Sequence, residues 1–399
     1  MNILSFSYCF PNRENPDWGV FVLQRLEALA RRVSLQVCAP VPWFPLLTAK
    51  RGDPGPVDDR LNGLRVYRPR FFYVPGFLKD HDARFYALGL RKWLKVVWRH
   101  QSPKILDAHF VWPDGVGVAL LAGRLGLPYA ITLRGKLYEC LKVPAQRRQC
   151  ASALKGAAAV ISVSSALAQE ALKLGVSAKR LHVIPNGVDR SRLYPRDKID
   201  CRRRLGLPET GRLLVTVAHL GHRKGHHEVI RALQGLPDDV RLVIVGGPAQ
   251  GGNEDSLMKT AAAVGVAKRL ILAGQQSYDR VPFYYNAADA SVLASYREGC
   301  PNVVLESLAC GTPVVASDVG AVRDILPVPG AGAIVFPREV AQLGEALRQV
   351  LDRRWDPETV VEASGVKSWN QVAKNVHAVL QDAVNTSLRK DGNAKHKTF

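Results

Sequence analysis

The chain has 399 residues, more than one hydrophobic core usually organises, so its length predicts two domains. A hydrophobic content of 47% is enough for two cores, the net charge is +20, and no run of about 18 apolar residues predicts a membrane-spanning helix. Seven cysteines without a Cys-x-x-Cys pair argue against a disulfide framework or a zinc site. The first seven residues lack the basic region and cleavage site of a signal peptide, so we expect a cytoplasmic protein.

Strand and helix patterns alternate along the chain, which predicts parallel sheets with helices on both faces. In the first half the predicted strands are residues 3–7, 34–39, 64–68, 105–109, 129–133 and 159–162, and the predicted helices are 20–32, 83–99, 116–124, 146–154 and 166–174. In the second half the strands are 213–218, 241–245, 270–273, 290–293, 313–316 and 333–335, and the helices are 226–234, 254–264, 281–287, 303–309 and 339–352. We expect a last helix at 366–385 and a basic, disordered tail at 386–399.

Positive charge is concentrated in the first half of the chain. Residues 1–180 contain 27 Lys and Arg against 12 Asp and Glu, and residues 65–104 alone contain 10 against 2, interleaved with aromatic residues. Cations beside aromatic rings suit an anionic membrane surface or an anionic lipid-linked acceptor. A plain solvated basic face is the alternative, and no nucleic-acid-binding motif accompanies the segment.

A pair of glutamates, Glu298 and Glu306, flanks the sequence GCPNVVL. Pro301 is suited to the first turn of a helix that ends near Gly311, so Glu298 would lie at a helix N-terminus and Glu306 about two turns further on. Free N–H groups at a helix start suit phosphate, and carboxylates suit neutral hydroxyls. The pattern indicates a sugar nucleotide. Alternatively, Glu298 only interacts with the helix dipole and Glu306 is a solvated helix residue.

Residues 298–326 closely resemble the E-x7-E block of the family 4 retaining glycosyltransferases, which have the GT-B fold. Residues 181–189 are similar to the interdomain segment of that family, residues 223–225 to its phosphate-binding lysine turn, and residues 11–29 to its opening loop and first helix. The resemblance is to members that build bacterial cell-surface polysaccharides such as teichuronic acid or exopolysaccharide. It implies two doubly wound, Rossmann-like α/β domains that face each other across a cleft.

The resemblance also assigns the domains. It implies an acceptor-binding domain at residues 1–183, a nucleotide-sugar-binding domain at 184–365, and a helix at 366–385 that crosses back to the first domain.

Lys224 follows a buried strand at the start of a predicted helix, where its ammonium could hold a diphosphate, although a lysine in such a loop is often only solvated. The family usually has Gly-Arg where this chain has Ala218-His219, so either His219 or Arg223 would make the second cationic contact. The resemblance implies that Glu298 orients the donor sugar and Glu306 the ribose. The further donor contacts that it implies are Gly19, Gln276, Gly299, Cys300, Pro301, Asn302 and Val303.

On the acceptor side, His109 and Asp114 lie at and just beyond the carboxyl end of a predicted strand, where open α/β sheets bind ligands. Arg134 stands where many relatives carry histidine in a Thr-x-His-Gly pattern. An arginine is no base near neutral pH but can brace a phosphate or an acidic sugar. His109 is therefore the acceptor-side candidate, and the predicted catalytic residues are Glu298, His109 and Lys224.

The predicted reaction is retaining transfer of a sugar from a nucleotide sugar, a UDP- or GDP-sugar, to a hydroxyl of a glycan or a polyprenyl-diphosphate-linked acceptor. No cofactor is expected, and no Asp-x-Asp pair predicts a metal site. Phosphorylase-like chemistry on the same fold and a non-catalytic glycan- or membrane-binding subunit are the alternatives.

Overall fold

The computed structural model describes residues 1–44, 55, 57–100, 102–249 and 252–395, without the side chains of 95–100 and 390–395. The chain forms two compact units, one of Met1–Asn186 together with the C-terminal residues from Trp369, the other of Gly187–Ser368. The unit boundary lies three residues beyond the boundary expected from the sequence.

The first unit is built on a mixed sheet that is parallel except at one edge. Its strands are β1 (Asn2–Phe6), β2 (Ser34–Cys38), β3 (Val41–Trp43), β4 (Asp58–Leu61), β5 (Leu64–Tyr67), β6 (Arg70–Phe72), β7 (Ile105–His109), β8 (Tyr129–Leu133), β9 (Ala159–Ser162) and β10 (Leu181–Val183). Eight of them pair in the order β10-β9-β8-β7-β1-β2-β5-β4, with β4 antiparallel to β5, while β3 and β6 pair separately.

The helices of this unit are α1 (Val20–Ala30), α2 (Asp82–His100), α3 (Val116–Leu125), α4 (Leu137–Cys140), α5 (Pro144–Gly156) and α6 (Ser165–Lys173). The last helix of the chain, Trp369–Lys395, also belongs to it and packs against α1. Trp369, Val372, Val376 and Leu380 join the core that includes Leu26 and Ile105. Because these apolar residues recur three or four positions apart, they form one face of the helix.

The second unit is a six-stranded, fully parallel sheet with helices between its strands. In chain order it contains α7 (Lys198–Leu205), β11 (Arg212–Val217), α8 (His226–Leu233), β12 (Val240–Val245), α9 (Glu254–Ala263), β13 (Leu270–Gly274), α10 (Val281–Ala287), β14 (Ala290–Leu293), α11 (Asn302–Ala309), β15 (Val314–Ser317), α12 (Val322–Ile325), β16 (Gly332–Val335), α13 (Val340–Asp352) and α14 (Pro357–Ser364). The final helix, Trp369–Lys395, is therefore α15. The strand order is β13-β12-β11-β14-β15-β16.

Each sheet has a point at which the strand order reverses. In the second unit the chain leaves β11 towards β12 and β13, then returns to the other side of β11 as β14. In the first unit β1 pairs with both β2 and β7 in the same way. The loops that follow the two strands at such a point diverge and leave a crevice at the carboxyl edge of the sheet. This topology predicts where ligands bind in each unit.

The predicted strands and long helices are present with shifts of at most two residues at their ends, except the last helix, which begins three residues and ends ten residues later than expected. Strands β3, β4, β6 and β10 and helices α4, α7, α12 and α14 were not predicted. The expected disordered tail is not observed over residues 386–395, where α15 continues to Lys395, and residues 396–399 lie outside the described part.

Candidate functional site

The loops that follow β11 and β14 meet at the strand-order reversal of the second unit. The N–H of Tyr296 donates to the carbonyl of Arg223 at 2.9 Å, which joins the two loops through their backbones. Gly225 has a left-handed φ of 71°, and a Cβ there would lie 2.0 Å from the carbonyl oxygen of Ala294.

 The left-handed backbone and the close approach together require glycine at this position, because any side chain would push the two loops apart.

The two loops bring together Lys224 and Glu298, which are 74 positions apart in the sequence. The ammonium of Lys224 donates to Oε1 of Glu298 at 2.6 Å, and the two side chains are only 16% and 14% exposed. If one partner of a partly buried ion pair is removed, the other charge is left uncompensated. An anion that enters must therefore replace the carboxylate as the partner of Lys224. Lys224 is thus a cation at the crevice whose anionic partner can be exchanged.

His219 lies in the same loop as Lys224. Its Nδ1 accepts the N–H of Gly221 at 3.2 Å, so a neutral ring carries its proton on Nε2 and can donate it. Burial, followed by the charges of Lys224 and Arg223, lowers the pKa of His219. Arg223 itself is exposed. His219 therefore has the donor that the predicted second phosphate contact needs, and the choice between it and Arg223 stays a prediction.

The neighbouring His226 holds this loop through a hydrogen bond. Its Nε2 donates to the carbonyl of His219 at 3.2 Å, since a carbonyl can only accept. The ring is 2% exposed, and burial lowers its pKa to about 4. A neutral histidine thus fixes the backbone of His219 at neutral pH.

Helix α11 begins directly after the Glu298 loop. Pro301 is its N-cap and has no side-chain oxygen to accept from the N–H groups of the first turn. The flanking residues Gly299, Cys300, Asn302 and Val303 are partly exposed, whereas Pro301 is buried. Pro301 precedes the first helical position instead of occupying the first turn as expected. A helix start without a side-chain cap can bind an anion.

Glu306 lies one turn into α11 and contacts the core of the unit. The hydroxyl of the fully buried Tyr285 donates to its Oε2 at 3.0 Å. Burial raises the pKa of Glu306 to about 7, and the bond from Tyr285 partly offsets that rise. Tyr285 leaves Oε1 for another donor, so the carboxyl group is oriented by the protein before a ligand binds. Glu306 is therefore not the solvated helix residue of the alternative interpretation.

Gln276 follows β13, two strands from the reversal point. Its side-chain amide donates to the carbonyl of Ala273 at 2.6 Å, which folds the side chain back onto its own loop. Its predicted contact with a base through the backbone stays a prediction.

In the first unit, Gly19 ends the loop that follows β1. A Cβ there would lie 2.3 Å from the carbonyl oxygen of Cys9, so packing of the loop already explains a glycine at this position. Its predicted contact with donor phosphates stays a prediction.

His109 is the last residue of β7 and belongs to a buried polar network. Its Nε2 donates to Oδ2 of Asp107 at 3.2 Å, and the same oxygen accepts the hydroxyl of Ser5 on β1 at 2.8 Å. Nδ1 faces a guanidinium nitrogen of Arg134 at 3.5 Å. Burial lowers the pKa of His109 to about 4, so the ring is neutral near pH 7. Both ring nitrogens are therefore engaged by the protein.

Asp107 holds this network together at the strand-order reversal of the first unit. Burial alone would raise its pKa, but His109, the charge of the buried Arg25 and the Ser5 hydroxyl hold that pKa well below its usual range. Sequence reasoning assigned Asp107 no role. The available signal was its position two residues before His109 in a strand, which places both side chains on one face.

Arg134 is 4% exposed, donates to Oδ1 of Asn186 at 3.0 Å, and stacks over the ring of Phe21 at 4.7 Å. Asp114 is fully buried, and its Oδ1 accepts the N–H of Tyr8 and the hydroxyl of Tyr86, each at 2.8 Å. These contacts fix the loops that follow β1, β7 and β8.

The three residues predicted for the acceptor side, His109, Asp114 and Arg134, are all buried. The structure brings His109 and Arg134 together but gives Asp114 a separate set of partners. As the contacts stand, all three support the carboxyl edge of the first sheet from within, and none presents a free base at its surface. The sequence placed them at the correct edge and could not show their burial.

Among the described residues, no helix is long and apolar enough to cross a membrane, and no three His, Cys, Asp or Glu side chains are grouped to hold a metal ion.

Family models match both halves of the chain. The model described as Glycosyltransferase Family 4 matches residues 19–192, and the model described as Glycosyl transferases group 1 matches residues 197–364. A glycosyltransferase of Bacillus subtilis assigned to teichuronic acid biosynthesis, TuaC, is 32% identical over an alignment of 410 residues that covers 97% of this chain and 100% of the relative. This chain belongs to the family 4 glycosyltransferases.

Solved structures agree with the predicted GT-B fold. Sucrose-phosphate synthase from Thermosynechococcus elongatus has a TM-score of 0.77 at 21% identity and covers 97% of this chain and 100% of its own. HepE from Anabaena in complex with UDP has a TM-score of 0.75 at 20% identity, and the match covers 96% of this chain and 100% of HepE. At such identities the likeness concerns the fold alone. The prediction of two Rossmann-like α/β units is confirmed.

For a glycosyltransferase of this family, the second unit supplies a cation, an oriented carboxyl group and an open helix start at one sheet edge. Sequence reasoning missed Tyr285, which orients Glu306, and His226, which fixes the His219 backbone. Tyr285 gave no signal in the sequence, because its contact with Glu306 depends on how α10 packs beside α11.

Proposed function

We propose that this protein is a retaining glycosyltransferase that moves a sugar from a nucleotide-sugar donor to a hydroxyl of a glycan or lipid-linked acceptor in cell-surface polysaccharide biosynthesis. The ion pair of Lys224 and Glu298 at the strand-order reversal is the observation that carries the proposal. The relative assigned to teichuronic acid biosynthesis supports the polysaccharide, and the UDP complex of HepE supports the nucleotide.

The donor diphosphate would take the place of the Glu298 carboxylate beside Lys224. Glu298, released from the ammonium, would then accept hydrogen bonds from hydroxyls of the donor sugar. As the sugar departs, negative charge grows on the diphosphate, and Lys224, the Nε2–H of His219 and the start of α11 would stabilise it. We propose that these groups suffice without a divalent metal ion.

Glu306 would bind the ribose. Because Tyr285 holds Oε2 in place, Oε1 is presented in a fixed direction and accepts a ribose hydroxyl without a loss of side-chain freedom on binding.

On the acceptor side, we propose that His109 and Asp107 position the loops of the first unit. The neutral His109 ring, held by Asp107 and facing Arg134, would set the backbone at the carboxyl ends of β7 and β8. This assigns His109 a positioning role in place of direct contact with the acceptor.

Thermal-shift titration with UDP, GDP and ADP, followed by their sugar conjugates, tests the donor site. A ligand at one hundred times its dissociation constant adds about 2.7 kcal/mol to the free energy of unfolding. We expect one nucleotide to raise the melting temperature selectively, and Lys224→Gln to remove that shift while Lys259→Gln, an exposed lysine of the same unit, retains it. Equal shifts in both variants would contradict the assigned phosphate contact.

Replacement of Glu298 tests the catalytic assignment. Glu298→Ala should keep the fold and lose sugar transfer at least about tenfold, which corresponds to a barrier increase of about 1.4 kcal/mol. Glu362→Ala removes an exposed glutamate of the same unit and serves as the control. Wild-type turnover in Glu298→Ala would refute its role, and an inverted anomeric configuration in the product, read by NMR, would refute retention.

A further inference from the structure

The basic aromatic segment at residues 65–104 separates into a buried and an exposed set of side chains. Tyr67, Phe71 and Tyr86 are only 6%, 3% and 0% exposed, so these rings belong to the core and cannot face a partner. In contrast, four large apolar side chains among the described residues of this segment face solvent: Phe72 at 38%, Phe77 at 75%, Leu78 at 54% and Leu88 at 55% exposed. Composition alone did not separate the two sets.

The charges of this region are separated in the same way. In the described stretch 70–94 the exposed Arg and Lys side chains are Arg70, Arg84, Arg91 and Lys92, and neither aspartate is more than partly exposed. Asp82 is 6% exposed and lies 3.7 Å from the ammonium of Lys79. The outward surface is therefore positive, with Asp82 turned inward and Asp80 only partly exposed.

A ring contact joins the exposed face of α2 to strand β6. On α2 the exposed positions 84, 88, 91 and 92 follow helical spacing, so they share a face. Phe85, next to Arg84, packs edge-on against Phe72 of β6 at 5.2 Å. This contact links the helix face to the end of β6, and the loop with Phe77 and Leu78 leads into the same helix.

That loop is held in place and presents its apolar tip outward. The ammonium of Lys79 donates to the carbonyl of Val74 at 2.8 Å and lies 3.5 Å above the ring of Tyr73. Leu78 adopts a left-handed φ of 55°, which a leucine rarely does. Two large apolar side chains, Phe77 and Leu78, are thus kept exposed by a fixed backbone at the start of α2.

We propose that this surface docks on an anionic lipid bilayer. We call it the docking face and define it by Arg70, Phe72, Phe77, Leu78, Arg84, Leu88, Arg91 and Lys92. Its apolar side chains would enter the boundary between headgroups and acyl chains, while its guanidinium and ammonium groups contact lipid phosphates. Nucleic acid fits less well, because two of the four exposed apolar side chains, Leu78 and Leu88, offer no base stacking. Lys95, Trp98 and Arg99 continue the sequence pattern, but their side chains lie outside the described residues.

The test is co-sedimentation of the full-length protein with vesicles of phosphatidylcholine alone or with about one third phosphatidylglycerol. We expect binding to the anionic vesicles only, weakened by added salt because exposed charges are screened. Arg84→Glu/Arg91→Glu/Lys92→Glu should reduce the bound fraction at least tenfold. Phe77→Ser/Leu78→Ser should abolish the part of the binding that survives high salt.

A charge-matched control separates the docking face from net charge. Arg124→Glu/Lys155→Glu/Lys179→Glu changes three exposed basic residues elsewhere in the same unit and should bind vesicles like wild type. Equal loss in both triple variants, or absence of wild-type binding to anionic vesicles, would overturn the proposal. So would equally tight binding of a single-stranded oligonucleotide that the same docking-face variants abolish. Circular dichroism and nucleotide thermal shifts verify that each variant is folded.

Discussion

Asp114 is a buried carboxyl group whose two oxygens have different surroundings. Oδ1 accepts hydrogen bonds from Tyr8 and Tyr86, whereas Oδ2 is buried without a partner. Burial raises the pKa of Asp114 to about 7, against the smaller, opposite effect of the two bonds. The folded protein therefore keeps a proton that the unfolded chain releases near pH 4. This group stabilises the fold below pH 4, and that contribution is lost as the pH rises through 7.

We expect Asp114→Asn to become more stable relative to wild type as the pH rises. Asparagine keeps the Oδ1 acceptor and cannot ionise, so the difference between variant and wild type should shift in favour of the variant by at least about 1.4 kcal/mol between pH 5 and pH 8.5. Urea unfolding at both pH values measures it. Asp17→Asn, at an exposed position of the same unit, is the control and should show no such shift. A difference that does not depend on pH would refute the interpretation.

At the scale of residues, the sequence predicted which side chains lie together where their place follows from position along a parallel strand. Lys224 and Glu298 follow β11 and β14, and these strands are neighbours, so the loops had to meet. The sequence did not show the surroundings of His109, because these are set by Ser5 and Arg134, which lie on other strands or loops. Burial of a polar side chain depends on packing between distant segments, which no local pattern encodes.

At the scale of elements, Gly225 controls how closely the loop after β11 approaches the loop after β14. We expect Gly225→Ala to destabilise the second unit by about 2–4 kcal/mol and to weaken nucleotide binding, because a Cβ 2.0 Å from the Ala294 carbonyl forces the loops apart. Denaturant unfolding and nucleotide titration measure the two effects.

Gly265→Ala is the matched control for that substitution. Gly265 has a φ of 75°, close to that of Gly225, and nothing lies within 4 Å of its Cβ position. Gly265→Ala therefore has the conformational cost of a left-handed alanine, about 1 kcal/mol, without a steric clash. If both variants lost the same stability and bound nucleotide equally, contact between the loops would not be the reason for glycine.

The elements that the sequence predicted are those with long apolar patterns. Strands β7, β8 and β9 were predicted at their observed bounds, since each is a continuous buried run. Strand β4, with the sequence DDRL, was missed because a charged edge strand has no apolar pattern, and its pairing with β5 is antiparallel. The short helices α4 and α12 have four residues each, too few to show a helical period.

At the scale of the whole molecule, α15 completes the first unit. Its Trp369 donates from the indole N–H to Oε1 of Gln24 at 2.8 Å, and its buried face extends to Val384. We expect a chain that ends at Ser368 to expose the core of residues 1–186 to limited proteolysis. The second unit should still give the nucleotide-dependent thermal shift, because it contains no residue of α15.

A chain that ends at Leu388 is the control for this truncation. It removes the end of the helix and keeps every residue from Trp369 to Val384 that packs into the core, and Leu388 itself is 62% exposed. It should resist proteolysis like wild type. Protection of residues 1–186 in the shorter chain would show that α15 is dispensable for the first unit.

Because α15 follows the second unit in the chain, it is synthesised after that unit. The first unit is synthesised first, but its core stays open until the ribosome has completed residues 187–368 and then α15. At roughly 5–20 residues per second, this interval lasts about 10–40 s. During it, the apolar sheet face around Ile161 lacks α15, the helix that packs against β8 and β9. The nascent chain is therefore most exposed to aggregation during synthesis of its second half, and slow translation there would lengthen the exposure.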